Sequence, residues 1–257
     1  MKIRVLGCSG GIGAGLRTTS LLIDNDVLVD CGTGVGDLTQ EELCAIRHIF
    51  ITHSHLDHIA FIPFLIDSAF DVFVDKPVTI HLQEETMNML RQHIFNGKIW
   101  PDYAKIPDEK NSVIRYDVML PGQKVNINDR LFEAIPVTHI KGAVGYRLQS
   151  STTGGSFAYS GDTKTTDQFW KVINAYPNLD VLIIECAYPD HEEELGHIAG
   201  HHRPSTLAKD LCKLQHQPEL YIMHQKPGAE KKIMRELTEL VEGRELKELQ
   251  RGQVFEL

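Results

Sequence analysis

The sequence predicts an α/β protein folded as a four-layer αββα sandwich. Two observations predict it: short apolar runs rich in β-branched residues fall into two blocks, and each block is followed by segments of helical composition. Two such blocks suggest two sheets packed face to face with helices on both outer sides. In the first block the runs are KIRVLG, TSLLIDN, VLVDCG and HIFITH, bounded by Gly, Asn, Asp or Thr. After His58 the pattern changes. IAFIPFLIDSAF is apolar enough for a buried helix, and QEETMNMLRQHIF interleaves charged and apolar residues at helical spacing. From Ser112 strands return, among them QKVNI, RLFEAIPVTHI, VGYRLQS, GSFAYSGDT and DVLIIECAY. Helices resume at PSTLAKDLCKLQ and GAEKKIMRELTELVEG, the last closed by Gly243.

A chain of 257 residues with 42% hydrophobic content buries a sizeable core without disulfides, and one domain over residues 1–257 is the expectation. No Ser/Gly/Pro-rich linker, charge block or solenoid period divides it. The opening MKIRVLGCSGG reads as a strand and lacks the basic and long apolar regions of a signal peptide, and no run is apolar enough to span a bilayer. The five cysteines, Cys8, Cys31, Cys44, Cys186 and Cys212, are widely separated and form no C-x-x-C pair, so they read as reduced thiols in a cytoplasmic protein. The net charge of −9 opposes a protein that grips long nucleic acids, because that binding rests on many Lys and Arg contacts to phosphates. A small phosphorylated substrate is not opposed, since bound cations would dominate the local field.

Thirteen histidines carry more information, because several cluster. The run ITHSHLDHIA places His53, His55, Asp57 and His58 within six residues. In an extended segment alternate side chains share a face, so His53, His55 and Asp57 can point one way, and His58 can join from the start of the following helix. Neutral imidazole and carboxylate are ligands that zinc, manganese and iron accept. One loop cannot complete two coordination spheres, so further His or Asp residues are needed at other strand ends. His139 ends EAIPVTH, Asp162 follows the strand GSFAY, and His224 ends LYIMH. Each alone reads as an ordinary structural or turn residue. Their shared placement at the ends of apolar strands makes them a set.

In order, VLVDCGTG with Asp30, then HSHLDH, His139, SGDT and IMH resemble the motif set of the metallo-β-lactamase superfamily, over almost the whole chain. The resemblance implies a hydrolase with two divalent metal ions per chain, zinc first and manganese or iron as alternatives. It implies that His53, His55 and His139 hold the first ion, that Asp57, His58 and His224 hold the second, and that Asp162 bridges them. A hydroxide between the ions would be the nucleophile, with Asp57 counted among the catalytic residues as well as the ligands.

Within that superfamily, LRQHIFNGKIWPDY resembles the HIFN…IWP signature of class II cyclic-nucleotide phosphodiesterases, and IIECAYPD and GHHRPSTLAKDL are similar to that family's later segments. This resemblance implies hydrolysis of a small-molecule 3′,5′-cyclic nucleotide to the 5′-monophosphate by a homodimer, with cyclic AMP and cyclic GMP both open. Glu185 ends the apolar strand VLIIE, where it can orient a histidine, and a His/Glu pair suits proton donation to a departing alkoxide. His201 is the expected general acid in contact with substrate, with His197 and His202 as rivals. Phe95 and Trp100 are the expected nucleobase platform, with core packing of a helix end as the plain alternative.

Three other readings compete. The Gly7, Gly11 and Gly13 spacing of GCSGGIG fits a short-chain dehydrogenase, but the loop leads into the strand TTSLLID rather than a helix, and no tyrosine is followed four residues later by lysine. A tRNA 3′-processing ribonuclease of the same superfamily would share the metal motifs, yet the charge has the wrong sign and no long basic insertion is present. A non-catalytic metal-binding sensor would have no use for Glu185 and His201.

Overall fold

The computed structural model describes residues 1–257 and forms two seven-stranded sheets with helices outside both. The first half supplies β1 (Lys2–Gly7), β2 (Ser20–Ile23), β3 (Val27–Val29), β4 (His48–Phe50), β5 (Val78–Leu82) and β6 (Ile114–Val118). The second half supplies β7 (Lys124–Ile127), β8 (Arg130–Pro136), β9 (Val144–Ser150), β10 (Ser156–Tyr159), β11 (Val181–Glu185), β12 (Glu219–Met223) and β13 (Leu246–Glu248), and β14 (Val254–Glu256) returns to the first sheet beside β1. Helices α1 (Gln40–Ala45), α2 (Leu56–Ile59), α3 (Ile62–Ser68), α4 (Phe70–Asp75) and α5 (Glu84–Met89) lie in the first half, and α6 (Gln168–Asn174), α7 (Glu193–Ala199), α8 (Pro204–Leu211) and α9 (Glu230–Leu240) in the second. Both sheets follow one plan. An antiparallel meander (β1–β3, β7–β10) continues into parallel pairs (β3 to β6, β10 to β13).

Three apolar cores make the four layers. Leu21, Ile23, Val27, Val29 and Phe50 face Phe132, Tyr146, Leu148 and Phe157 between the sheets. The alternate positions Leu22, Leu28, Ile49 and Ile80 pack on the other face against Ile62, Leu65, Ile66 and Phe73 of α3 and α4. The outer face of the second sheet packs Leu182, Ile184 and Ile222 against Trp170, Leu211, Ile233 and Leu237 of α6, α8 and α9. Strands covered on both faces read as continuous apolar runs rather than as alternation, which is why VLV and VLIIE stand out in the sequence.

The structure adds elements to the expected ones. β5 falls between the two segments expected to be helical, where the sequence reading placed no element, because its five residues have only Pro77 to mark their start. The QEETMNMLRQHIF helix is α5 followed by a π-helical turn at Leu90–Ile94, and α6 covers a segment with no sequence expectation. β13 and β14 have three residues each and lie at sheet edges, too short for a periodic signal.

Connectivity places the chemistry. β8, β10, β11 and β12 run in one direction, since β9 is antiparallel to both β8 and β10 and the later pairs are parallel. The segments after their C-terminal ends therefore emerge on one rim of the second sheet, where ligand sites of parallel strands lie.

Candidate metal centre

His53 is reached three residues after β4, and His55 in extended backbone forms the N-cap of α2. The expected alternation holds for these two residues only. Asp57 lies inside the first turn of α2 and turns away with His58, because helix geometry replaces the two-residue period from Leu56 onward. His139 follows β8, Asp162 follows β10 and His224 follows β12 directly.

These residues converge in two groups, His53/His55/His139/Asp162 and Asp57/His58/Asp162/His224, with one donor atom from each residue lying within 4.8 Å of the others in its group. Asp162 belongs to both. Its Oδ2 stands 3.3 Å from Nε2 of His58, 3.3 Å from Nε2 of His224 and 3.6 Å from Nε2 of His53. Nδ1 of His55 and Nε2 of His139 are 3.1 Å apart. Donors around a tetrahedral ion with bonds of about 2.0–2.1 Å stand roughly 3.3 Å apart, so the spacing suits a first-row divalent cation.

A second observation points the same way. Nε2 of His53, His58 and His224 and Oδ1 of Asp162 are buried and have no hydrogen-bond partner in the protein. Four unsatisfied polar atoms in one cluster are costly unless a cation completes them.

The opposite ring nitrogens are engaged, which fixes each tautomer. Asp30 Oδ2 accepts from His58 Nδ1 at 2.7 Å, Gly200 O accepts from His139 Nδ1 at 3.0 Å, and Thr52 Oγ1 lies 3.0 Å from His53 Nδ1. Asp30 also accepts from Thr52 N and from the hydroxyls of Thr52 and Tyr159, and it sits in the left-handed region at φ 58°. His224 shares that strained conformation at φ 64°. Non-glycine residues persist there only where surrounding contacts over-determine them.

Burial pushes the imidazole of His53 well below its usual pKa and that of His224 to about 3, so both are neutral donors. His58 behaves otherwise. Burial opposes its charge, but Asp162 and Asp30 on either side outweigh it and hold the pKa well above the ordinary value. Asp162 responds in kind: burial raises its pKa, and His224 and His58 pull it well below the usual carboxylate range. A cation bound there would take over the positive charge that these carboxylates favour on His58, so metal binding would compete with its protonation.

A family model described as the beta-lactamase superfamily domain matches residues 25–224. The chain belongs to the beta-lactamase superfamily. Among curated proteins, it is 31% identical over 185 residues to a probable 3′,5′-cyclic-nucleotide phosphodiesterase of Yersinia pestis, covering 66% of this chain and 52% of that protein. It is 30% identical over 167 residues to a ribonuclease Z of Haloarcula marismortui, covering 61% of this chain and 50% of that protein. The chain thus spans about half the length of these relatives. The crystal structure of unliganded yeast PDE1 superimposes with a TM-score of 0.79 at 19% identity, over 98% of each chain, which is a likeness of fold.

Beside the candidate ligands of this beta-lactamase superfamily chain lies a His/Glu pair. Glu185 Oε1 accepts from His201 Nδ1 at 2.9 Å and from Thr163 N at 2.9 Å. The His201 ring stacks on His224, with centres 5.3 Å apart and planes at 23°, and lies 4.9 Å from His139. Burial works against its charge, and the Glu185 carboxylate reverses that and raises its pKa. The two rivals are placed elsewhere. His202 is buried with Nδ1 beside Thr206 and Nε2 toward Asp210, and His197 is exposed on α7.

Phe95 needs correction as a nucleobase platform. Its side chain is 1% exposed and packs in the helix-side core, 6.0 Å from Tyr103, so protein already covers the faces a base would use. Trp100 is half-buried, packs against the same core and meets Phe64 edge-on at 5.3 Å. The aromatic side chain that does stand beside His201 is Tyr188, at 5.8 Å, which the sequence reading passed over. Thr52, Thr163 and Gly200 were also missed. Only Gly200 carried a signal: at φ 77° it closes α7, and a Cβ there would press on His139 Nδ1 at 3.0 Å.

The Asp30–His58 contact yields a prediction. Asp30→Asn keeps the shape but weakens the acceptor that orients His58, and affinity at that site should fall by about 10- to 100-fold, the usual cost of losing such support. Chelator competition on the purified variant measures it, and an unchanged affinity would remove Asp30 from the orienting role.

Proposed function

We propose that this chain is a metal-dependent phosphodiesterase that hydrolyses 3′,5′-cyclic nucleotides to 5′-monophosphates, as a cytoplasmic homodimer. The observation that carries the reading is His201, braced by Glu185 and stacked over His224 beside the candidate ligands. The similarity to the Yersinia phosphodiesterase supports it.

Two divalent cations held by His53, His55, His139, Asp57, His58, Asp162 and His224 would supply an acidified water and positive charge for the anionic group under attack, zinc being the first choice and manganese or iron the alternatives. The chain's own residues do the rest. Asp162 sets the two donor groups side by side, and Asp30, Thr52 and the Gly200 carbonyl hold the imidazoles with their donor nitrogens facing inward. Glu185 occupies Nδ1 of His201, which leaves Nε2 to present a proton to the departing 3′ oxygen.

The test is a substrate panel on metal-loaded protein: cyclic AMP, cyclic GMP, bis(p-nitrophenyl) phosphate, precursor tRNA and a thioester. Cyclic-nucleotide turnover is expected, abolished by chelation, with one oxygen-18 atom from labelled water in the 5′-monophosphate. An unlabelled product, or turnover of precursor tRNA alone, would overturn the reading. The second outcome is the competing one, favoured by the similarity to the Haloarcula ribonuclease Z and opposed by a net charge of −9.

A further inference from the structure

The GCSGG loop after β1 has no part in the roles assigned above. Its backbone lies directly on the end of β12: Cys8 O accepts from His224 N at 2.7 Å, and Gly10 N donates to Gln225 O at 3.0 Å. A Cβ on Gly10 would stand 2.3 Å from His224 O, so only glycine permits this approach. The loop then offers Gly10 O to the ammonium of Lys226 at 2.9 Å.

Lys226 follows the candidate ligand His224 by two residues. Its backbone N–H donates to Ala187 O at 3.1 Å, which ties the continuation of β12 to that of β11, the segment that carries Tyr188. The Lys226 ammonium lies 5.7 Å from the centre of the Tyr188 ring, and Tyr188 lies 5.8 Å from His201. A half-buried cation is therefore fixed beside Tyr188, the ring that neighbours the proposed acid. An ammonium has three N–H donors. Gly10 takes one, and no carboxylate lies within ion-pair distance of Lys226. By contrast Lys141, Lys213 and Lys247 pair with carboxylates at 2.8, 2.7 and 3.0 Å. The charge of Lys226 reaches Asp57 and His201, as a minor contribution beside burial.

Resting on the phosphodiesterase reading, we propose that Lys226, held in place by Gly10 and Tyr188, binds a non-bridging phosphoryl oxygen of the substrate and selects anionic phosphate esters over uncharged carbonyl esters. Lysine suits the task as a point charge that several phosphate orientations satisfy.

The experiment compares wild type with K226Q and K226R, all metal-loaded, by calorimetric binding of inorganic phosphate and by steady-state hydrolysis of bis(p-nitrophenyl) phosphate. Glutamine keeps an N–H for Gly10 but loses the charge. In K226Q the Kd for phosphate and the KM for the diester should both rise about 10- to 100-fold, the range of a charge-assisted hydrogen bond, and the salt dependence of phosphate binding should flatten. K226R should recover most of the loss, with Tm and metal content as in wild type. Unchanged phosphate binding in K226Q, or a loss that tracks a fall in Tm or metal content, would overturn the proposal. Phosphate binding is read without turnover, so a wild type inactive on cyclic nucleotides would defeat the phosphodiesterase reading and still leave Lys226 testable.

Discussion

In the proposed two-metal site, Asp162→Ala should release both ions and lower hydrolysis by on the order of 10³-fold or more, because cation chemistry supplies several kcal/mol of the barrier reduction. Asp162 Oδ2 is the one carboxylate oxygen within 3.6 Å of Nε2 of His53, His58 and His224, so no other carboxylate can substitute for it. Asp57 approaches His58 and His224 at 3.8 and 3.6 Å but belongs to one group only. His53→Ala should act only on the other group, His53/His55/His139/Asp162, and lower total metal by about one equivalent. Elemental analysis together with turnover checks both variants. An Asp162→Ala protein that retains two equivalents would show that the groups are independent and that Asp162 does not join them.

His201→Ala should slow natural cyclic nucleotides by roughly the 10² to 10⁴ that general acid catalysis supplies. A sugar alkoxide is a poor leaving group and needs its proton as the bond breaks. A nitrophenolate departs without one, so the same variant should keep much more of its activity on bis(p-nitrophenyl) phosphate, with metal content unchanged. Equal losses on the two substrates would remove the leaving-group role. Glu185→Gln should follow the same selectivity with a smaller effect, because the neutral amide still accepts from Nδ1 but no longer favours the protonated ring. His202→Ala should instead act on stability, since its ring faces Thr206 and Asp210.

Legibility differed from element to element for physical reasons. Core strands such as β3 and β11 were readable because burial on both faces demands unbroken apolar runs, whereas β13 and β14 have three residues at sheet edges and demand almost nothing. β5 was hidden because the neighbouring helices share its apolar composition. The donor residues were readable as types, since cations accept few side chains and HSHLDH crowds four of them into six positions. Phe95 was misread because an aromatic at a helix end gives the same pattern whether its ring faces a ligand or the core.

The sequence by itself determined the layer order and the superfamily and singled out the candidate donor residues, because each rests on local requirements: strand periodicity, ligand chemistry, and polar residues placed where apolar strands stop. Only the tertiary structure decided which donors stand together, that Asp57 sides with His58 and His224, that Asp30 braces His58, and that His201 rather than His202 lies over the cluster. Adjacent histidines on one segment differ by a backbone rotation that the residues around them impose. Gly10, Lys226 and Tyr188 meet only because β1, β11 and β12 end on a common rim, and contacts between residues up to 216 positions apart leave no trace in local pattern.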